Sequence, residues 1–232
     1  MLRNDEDEEW LRTAYPRLTP HANSLAGVVE FKAAYDSQSN RFLILEDSAP
    51  DEAAGLALSG KFTIRIEERI SKVFSSLPAV FLADVEVTES RHFGRDRSAC
   101  LCSPFAEEEF LRPEFQFRNF FEQLVIPFLY GQVFYDVKGH WPWREYSHGA
   151  TGILEAYAEI VGEPTPRDCL QLLRQYEFWK RIKEALLQKP YVKGHTPCFC
   201  PKMDHLRRCH PEALKGARRL QRDAAEQGIV IE

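Results

Sequence analysis

Apolar and polar positions alternate with a strand-like period through the first third of the chain and shift to helical spacing near its middle. Glu8 to Tyr15 predicts a short helix with Trp10, Leu11 and Tyr15 on one face, ended by Pro16 and Pro20, and the preceding charge run Asn4 to Glu9 reads as a solvated start. Val28 to Tyr35 alternates weakly. Asn40 to Glu46 carries the apolar run Phe42-Leu43-Ile44-Leu45, and the polar turn Asp36 to Ser39 suits a hairpin between the two. Ser48 to Ser59 reads as a loop. Lys61 to Ile70 sets Phe62, Ile64 and Ile66 on one face of a half-buried strand, and Pro78 to Leu82 and Val85 to Val87 add strand pieces. A helix followed by a meander of about four strands is the expectation.

From Glu107 to Gln132 the period becomes helical, with Phe117, Phe120, Phe121, Leu124, Val125, Phe128 and Leu129 in register and with Pro113 and Pro127 placed to bound or kink the helix. Asp136 to Gly149 is an aromatic loop in which Trp141 and Trp143 are core anchors, and Thr151 to Val161 is again helical. Thr165 and Pro166 give an N-cap and first-turn signal for a helix running to about Gln188. Lys189 to His195 is a linker, and Pro211 opens a last helix through Gln227.

The length, 232 residues, allows one large domain or one domain with an appendage, and 44% hydrophobic residues suffice for a packed core. A net charge of −5 argues against a general polyanion binder, so nucleic acid is not an expected partner. No apolar run approaches the roughly 20 residues a membrane helix needs, and the acidic start differs from a secretory leader. A cytoplasmic protein is expected, without a membrane partner. In a reducing compartment the six cysteines favour metal or thiol chemistry over a disulfide framework.

The stretch from Arg91 to Pro104 holds His92, Asp96, three arginines and the thiols Cys100 and Cys102. A thiol attacks as thiolate, and Arg91, Arg95 and Arg97, with His92, supply charge that favours one. Either cysteine is a candidate nucleophile; the other reading of each is a small buried hydrophobe. Asp96 is either a solvated side chain or a carboxylate available for acid–base work. His148 is either a loop or cap residue before the next helix or an acid–base group.

Near the C-terminus Cys198, Cys200, Cys209 and His210 have the spacing C-x-C-x8-C-H, a local set able to close a tetrahedral site. The expected metal is zinc, in a structural role because all four ligands are local. Lys202, Arg207 and Arg208 would offset the thiolate charge. A rival arrangement places Cys100 and Cys102 with Cys198 and Cys200 around one ion. The local set resembles the short zinc module known as the SEC-C motif, with Pro201-Lys202 where that family has Gly-Ser.

The order helix, meander, Pro78, His92, then Ala99-Cys100-Leu101 and helices resembles the ubiquitin-conjugating enzyme fold. Ala99-Cys100-Leu101-Cys102-Ser103-Pro104 and His148-Gly149 are similar to segments of bacterial relatives in antiphage CBASS operons of the short type II form, beside a cGAS-like nucleotidyltransferase. The resemblance implies an α+β fold, with a ubiquitin-conjugating-enzyme-like catalytic domain over 1–162 and a helical extension with the zinc motif over 163–232. It implies that Cys100 carries a protein C-terminus, that of the nucleotidyltransferase, as a thioester and passes it to a lysine amine. Cys102 then becomes a neighbour, Asp96 could orient the incoming lysine, and His92 mainly holds the loop. The alternatives are a non-catalytic module of the same fold that grips the nucleotidyltransferase and a zinc-linked thiol redox protein using Cys100 and Cys102. The asparagine credited with oxyanion stabilisation in eukaryotic members is absent, since the triplet here is His92-Phe93-Gly94.

Overall fold

The structure, a computed structural model, describes residues 3–45, 55–69, 77–111, 114–161 and 165–232. The chain is α+β and parts into two compact units, Met1–Arg144 and Glu145–Glu232. The sequence expectation placed the boundary at 162/163. The helix Ala150–Glu159 belongs with the second unit because it packs on the last helix.

In the first unit α1 (Asp5–Ala14) starts earlier than the apolar pattern suggests. The Asn4 side chain accepts the Asp7 N–H at 2.8 Å and the Asp7 carboxylate accepts the Asn4 N–H at 3.0 Å. This reciprocal cap, with four acidic residues against the positive end of the helix dipole, turns the expected frayed start into a helical turn.

The antiparallel sheet runs β1 (Leu18–His21), β2 (Ser24–Asp36), β4 (Leu56–Glu67) and β5 (Ala79–Leu82), while β3 (Arg41–Ile44) pairs with the end of β2. β2 and β4 form the spine, in register from Ser24↔Glu67 to Tyr35↔Leu56. Along its other edge β2 takes β1 at residues 24–27 and β3 at residues 33–36. The four-strand path therefore contains β1; the expected strand Asn40–Glu46 is observed as the short β3 paired beside it, and its Glu46 lies outside the described residues. Pro20 hid β1 in the sequence, but on a strand paired along one side a missing N–H is tolerated.

The expected loop Ser48–Ser59 is strand from Leu56 onward, and its residues 48–54 lie outside the described residues, as does Ile70 of the expected strand Lys61–Ile70. Val85–Val87 forms no strand. The Asp84 carboxylate accepts the Thr63 N–H at 2.5 Å, occupying the donor that a longer β5 would pair.

One face of the sheet carries Leu25, Val29, Phe62, Ile64, Ile66 and Val80, all buried. They share a core with Phe117, Phe120, Phe121, Phe128 and Leu129. The expected single helix Glu107–Gln132 is instead α2 (Pro104–Leu111), then α3 (Phe117–Phe120), a π turn (Phe121–Val125) and α4 (Ile126–Lys138). Arg112 and Pro113 lie outside the described residues. The wide turn precedes Pro127, which lacks a helix donor and crowds the preceding turn.

The second unit holds α5 (Ala150–Glu159), α6 (Pro166–Leu173), α7 (Trp179–Leu186), α8 (Leu206–Cys209) and α9 (Pro211–Glu226). The helix expected from Thr165 to Gln188 is interrupted: Gln175 and Tyr176 donate to Leu172 and Leu173 three residues back, tightening a turn between α6 and α7. α9 organises the unit. Arg219 donates to the carbonyls of Tyr157, Ala158 and Ile160 that end α5, and Gln221 donates to those of Leu186 and Gln188 that end α7. Buried Asp223 accepts the Tyr157 hydroxyl at 3.0 Å and pairs with Arg219. Gly216 permits the close crossing, since a Cβ there would stand 1.7 Å from the Leu154 carbonyl oxygen.

Candidate thiol site and metal centre

Beyond β5 the chain turns through a 3₁₀ segment (Glu89–Arg91) into His92, at φ 56°. Two bonds then fix the Cys100 backbone: the Ala99 N–H donates to the Val80 carbonyl at 2.7 Å, and the Cys100 N–H donates to the His92 carbonyl at 2.7 Å. Phe93 and Ala99 pair as an isolated bridge around the turn Gly94–Ser98. The result is an exposed Cys100 on a loop whose neighbours Phe93, Ser98 and Ala99 are buried.

Several side chains hold this loop. The His92 ring stands edge-on to Trp141, with centroids 4.6 Å apart, and the Trp141 indole N–H donates to the Ser90 carbonyl at 3.0 Å. Trp141 itself lies over Gly131 of α4, where a Cβ would come within 2.1 Å of its ring. Gln132 donates to the Arg91 carbonyl and accepts from the Arg91 guanidinium, which also pairs with Asp136. Trp141 is thus the loop anchor that the sequence suggests.

Asp96 does not present a free carboxylate. Its Oδ1 accepts from the Ser98 N–H and hydroxyl, and its Oδ2 accepts from Arg69 at 2.8 Å. Partial burial pushes this carboxyl up, but the bonds from Arg69 and Ser98 outweigh burial and hold it below the ordinary range. The lysine-orienting role considered for Asp96 is weakened accordingly.

The charges around Cys100 also differ from expectation. Desolvation raises the thiol first, the Glu107 carboxylate raises it further and Asp96 adds to this, while Arg69 pulls the other way. The net shift is upward, so the sulfur is kept as a thiol, contrary to a thiolate favoured by Arg91, Arg95 and Arg97. Arg91 is turned to Asp136, and Arg95 and Arg97 are exposed. Glu107 is buried in the first turn of α2, where it accepts the Leu77 N–H at 2.8 Å. Ser103, whose oxygen accepts the Ala106 N–H, starts that helix directly after the thiols.

Cys102 is half-buried against the core, and all six cysteines are free thiols. Arg69 and Glu107 are the residues that sequence reading missed. Arg69 follows a strand and Glu107 opens a helix, and neither position signals proximity to Cys100. On the outer face of the sheet an open groove of about 580 Å³ is lined by Thr63, Arg65, Phe81, Asp96 and Arg97.

His148 falls in the second unit, exposed in the turn before α5, and its carbonyl accepts the Thr151 hydroxyl at 3.0 Å. The metal candidates also lie there. Pro197 and His205 pair across a small hairpin, the Cys198 N–H donates to the Asp204 carbonyl at 2.7 Å, and Arg181 donates to the Cys198 carbonyl at 2.9 Å. The hairpin carries Cys198 and Cys200, α8 ends at Cys209, and His210 precedes α9.

The four ligand atoms all lie within 4.8 Å of one another, with Cys198 Sγ 3.1 Å from His210 Nδ1 and Cys200 Sγ 3.5 Å from Cys209 Sγ. Four-coordinate geometry with metal–sulfur bonds of about 2.3 Å sets sulfur–sulfur edges of about 3.8 Å, so the cluster fits a single ion. Burial first, and then the neighbouring thiols, push Cys198 up to about 12, so the sulfurs resist shared ionisation without a cation among them. Among the described residues this is the group that could hold a metal ion. No helix among the described residues is long and apolar enough to cross a membrane.

Compared with known families, curated proteins and solved structures, the chain matches no family model, no curated protein and no solved structure.

Proposed function

We propose that the first unit is a ubiquitin-conjugating-enzyme-like acyl carrier with Cys100 as its nucleophile. The supporting observation is one exposed cysteine whose own N–H and that of buried Ala99 before it are both hydrogen-bonded, on a loop leaving an antiparallel sheet. Such a residue lies at the surface, where a large partner can reach it, yet is held in one place, as covalent acyl transfer requires. The Cys100 thiolate attacks an incoming protein thioester: its bond to the acyl carbon forms, and the incoming sulfur departs as thiolate. A lysine amine then forms the amide, the carbon–Cys100 bond breaks, and the amine proton passes to water.

Resemblance to the CBASS relatives supplies the rest of the reading. The carried chain is the C-terminus of a cGAS-like nucleotidyltransferase, conjugation takes place in the bacterial cytoplasm, and it serves antiphage defence. Cys198, Cys200, Cys209 and His210 hold structural zinc, because a closed set of thiolates and imidazole suits that ion. His92 keeps the loop in place, and Cys102 is a neighbour.

A second reading is favoured by the raised thiol and by the occupied Asp96: a non-catalytic module that grips its partner through the outer groove. Intact mass after purification with the nucleotidyltransferase separates the two. A covalent adduct sensitive to thiol reagents, lost in Cys100→Ala and kept in Cys102→Ala, is expected for the carrier. An adduct that persists in Cys100→Ala and disappears in Cys102→Ala would transfer the role to Cys102. Undiminished conjugation and defence in both variants would leave the gripping module.

A further inference from the structure

We propose that Arg69 is the positioning residue of the Cys100 site, fixing the cysteine loop and supplying the cation that faces the sulfur whenever it carries negative charge. This rests on Cys100 being the acyl carrier.

The geometry is specific. The Arg69 Nε donates to the Leu77 carbonyl at 3.1 Å, one terminal nitrogen donates to Asp96 at 2.8 Å, and the other donates to the Ser98 hydroxyl at 2.9 Å. The guanidinium thus clamps the approach to β5 against the loop residue two positions before Cys100. Its side chain is 18% exposed, so its charge is incompletely screened by solvent. These bonds use three of the five N–H donors of a guanidinium, which leaves donors for charge arising at the site. Leu77 is held from both ends, its carbonyl by Arg69 and its N–H by Glu107, which ties a cation and an anion from two different segments to one residue.

The sulfur is anionic twice in the transfer: as it attacks the incoming thioester, and as it leaves when the amine nitrogen bonds to the acyl carbon. In the second event the carbon–sulfur electron pair stays on Cys100. A nearby cation stabilises that pair, so departure is easier with Arg69 than without it. The charges of Arg69, Glu107 and Asp96 reach Cys100, and that of Arg69 is the one that favours its anion.

The test is the rate at which iodoacetamide alkylates Cys100 in the full chain, followed by peptide mass across a pH series. It needs no conjugation partner, so it stands or falls separately from the carrier reading, which Cys100→Ala tests. Arg69→Gln removes the charge and is expected to slow alkylation at neutral pH about threefold or more, with the pH profile displaced upward. Arg69→Lys keeps the charge and is expected to stay near the wild-type profile. Asp96→Asn is expected to speed the reaction.

A clamp that acted only by packing would give the opposite sign, because loosening the loop exposes the sulfur. Arg69→Gln reacting at the wild-type rate or faster therefore overturns the proposal. If circular dichroism shows that Arg69→Gln is unfolded, the other two variants decide. A slowed Arg69→Lys or an unaccelerated Asp96→Asn overturns the proposal in that case.

Discussion

Three charged side chains from three parts of the first unit bear on the Cys100 sulfur: Glu107 from α2, Asp96 from the loop itself and Arg69 from beyond β4. Removing one anion should move the thiol in a known direction. Glu107 raises it, so Glu107→Gln lowers it, enlarges the thiolate fraction at neutral pH and speeds alkylation about threefold or more. Glu107 also accepts the Leu77 N–H, which glutamine can still do through its carbonyl oxygen, so the fold should survive. A rate unchanged in Glu107→Gln would show that burial alone sets the thiol. Cys100 stood out in the sequence because two thiols in a polar, arginine-rich loop are unusual for a core segment. Its electrostatics did not, since the arginines beside it in sequence point elsewhere and the one beside it in space lies far upstream.

Elements were legible where one buried face imposes a period and obscure where a side chain replaces a backbone partner. β4 shows its alternation because Phe62, Ile64 and Ile66 meet the core, and the aromatic helices show theirs for the same reason. The early start of α1 depends on the Asn4–Asp7 cap and the end of β5 on Asp84, both local polar devices that an apolar pattern does not register. Trp141, packed against Gly131 of α4, shows how such elements reach the site. Gly131→Ala would drive a methyl group into the Trp141 ring, which also bears on His92. Overpacking of this kind costs about 1–3 kcal/mol, so a lower melting temperature is expected. Displacement of the anchor should in addition make Cys100 alkylate faster than in other variants of equal stability. A stability loss with an unchanged alkylation rate would mean that the Cys100 loop holds its shape without Trp141.

At the scale of the molecule the chain divides into a sheet unit bearing Cys100 and a helical unit bearing the cysteine–histidine group that could hold a metal. The motif C-x-C-x8-C-H was readable because its ligands are close in sequence. The earlier boundary was not, because it depends on the α5–α9 crossing at Gly216, a contact between distant segments. Two substitutions separate what the cluster and the crossing each contribute to the second unit. Cys198→Ser removes a fully buried ligand whose N–H and carbonyl are both bonded, so binding of one metal equivalent should be lost and the 196–210 segment should lose protection in hydrogen exchange. Gly216→Ala forces a Cβ against the Leu154 carbonyl, a backbone atom that cannot rotate away, and should destabilise the unit by about 3 kcal/mol. The four ligands are local to the hairpin and the start of α9, so Gly216→Ala should keep its metal equivalent at temperatures below its lowered transition. Loss of metal in Gly216→Ala while α5 and α9 remain protected would show that the ligand geometry depends on the helix crossing. Retention of metal in Cys198→Ser would remove Cys198 from the ligand set.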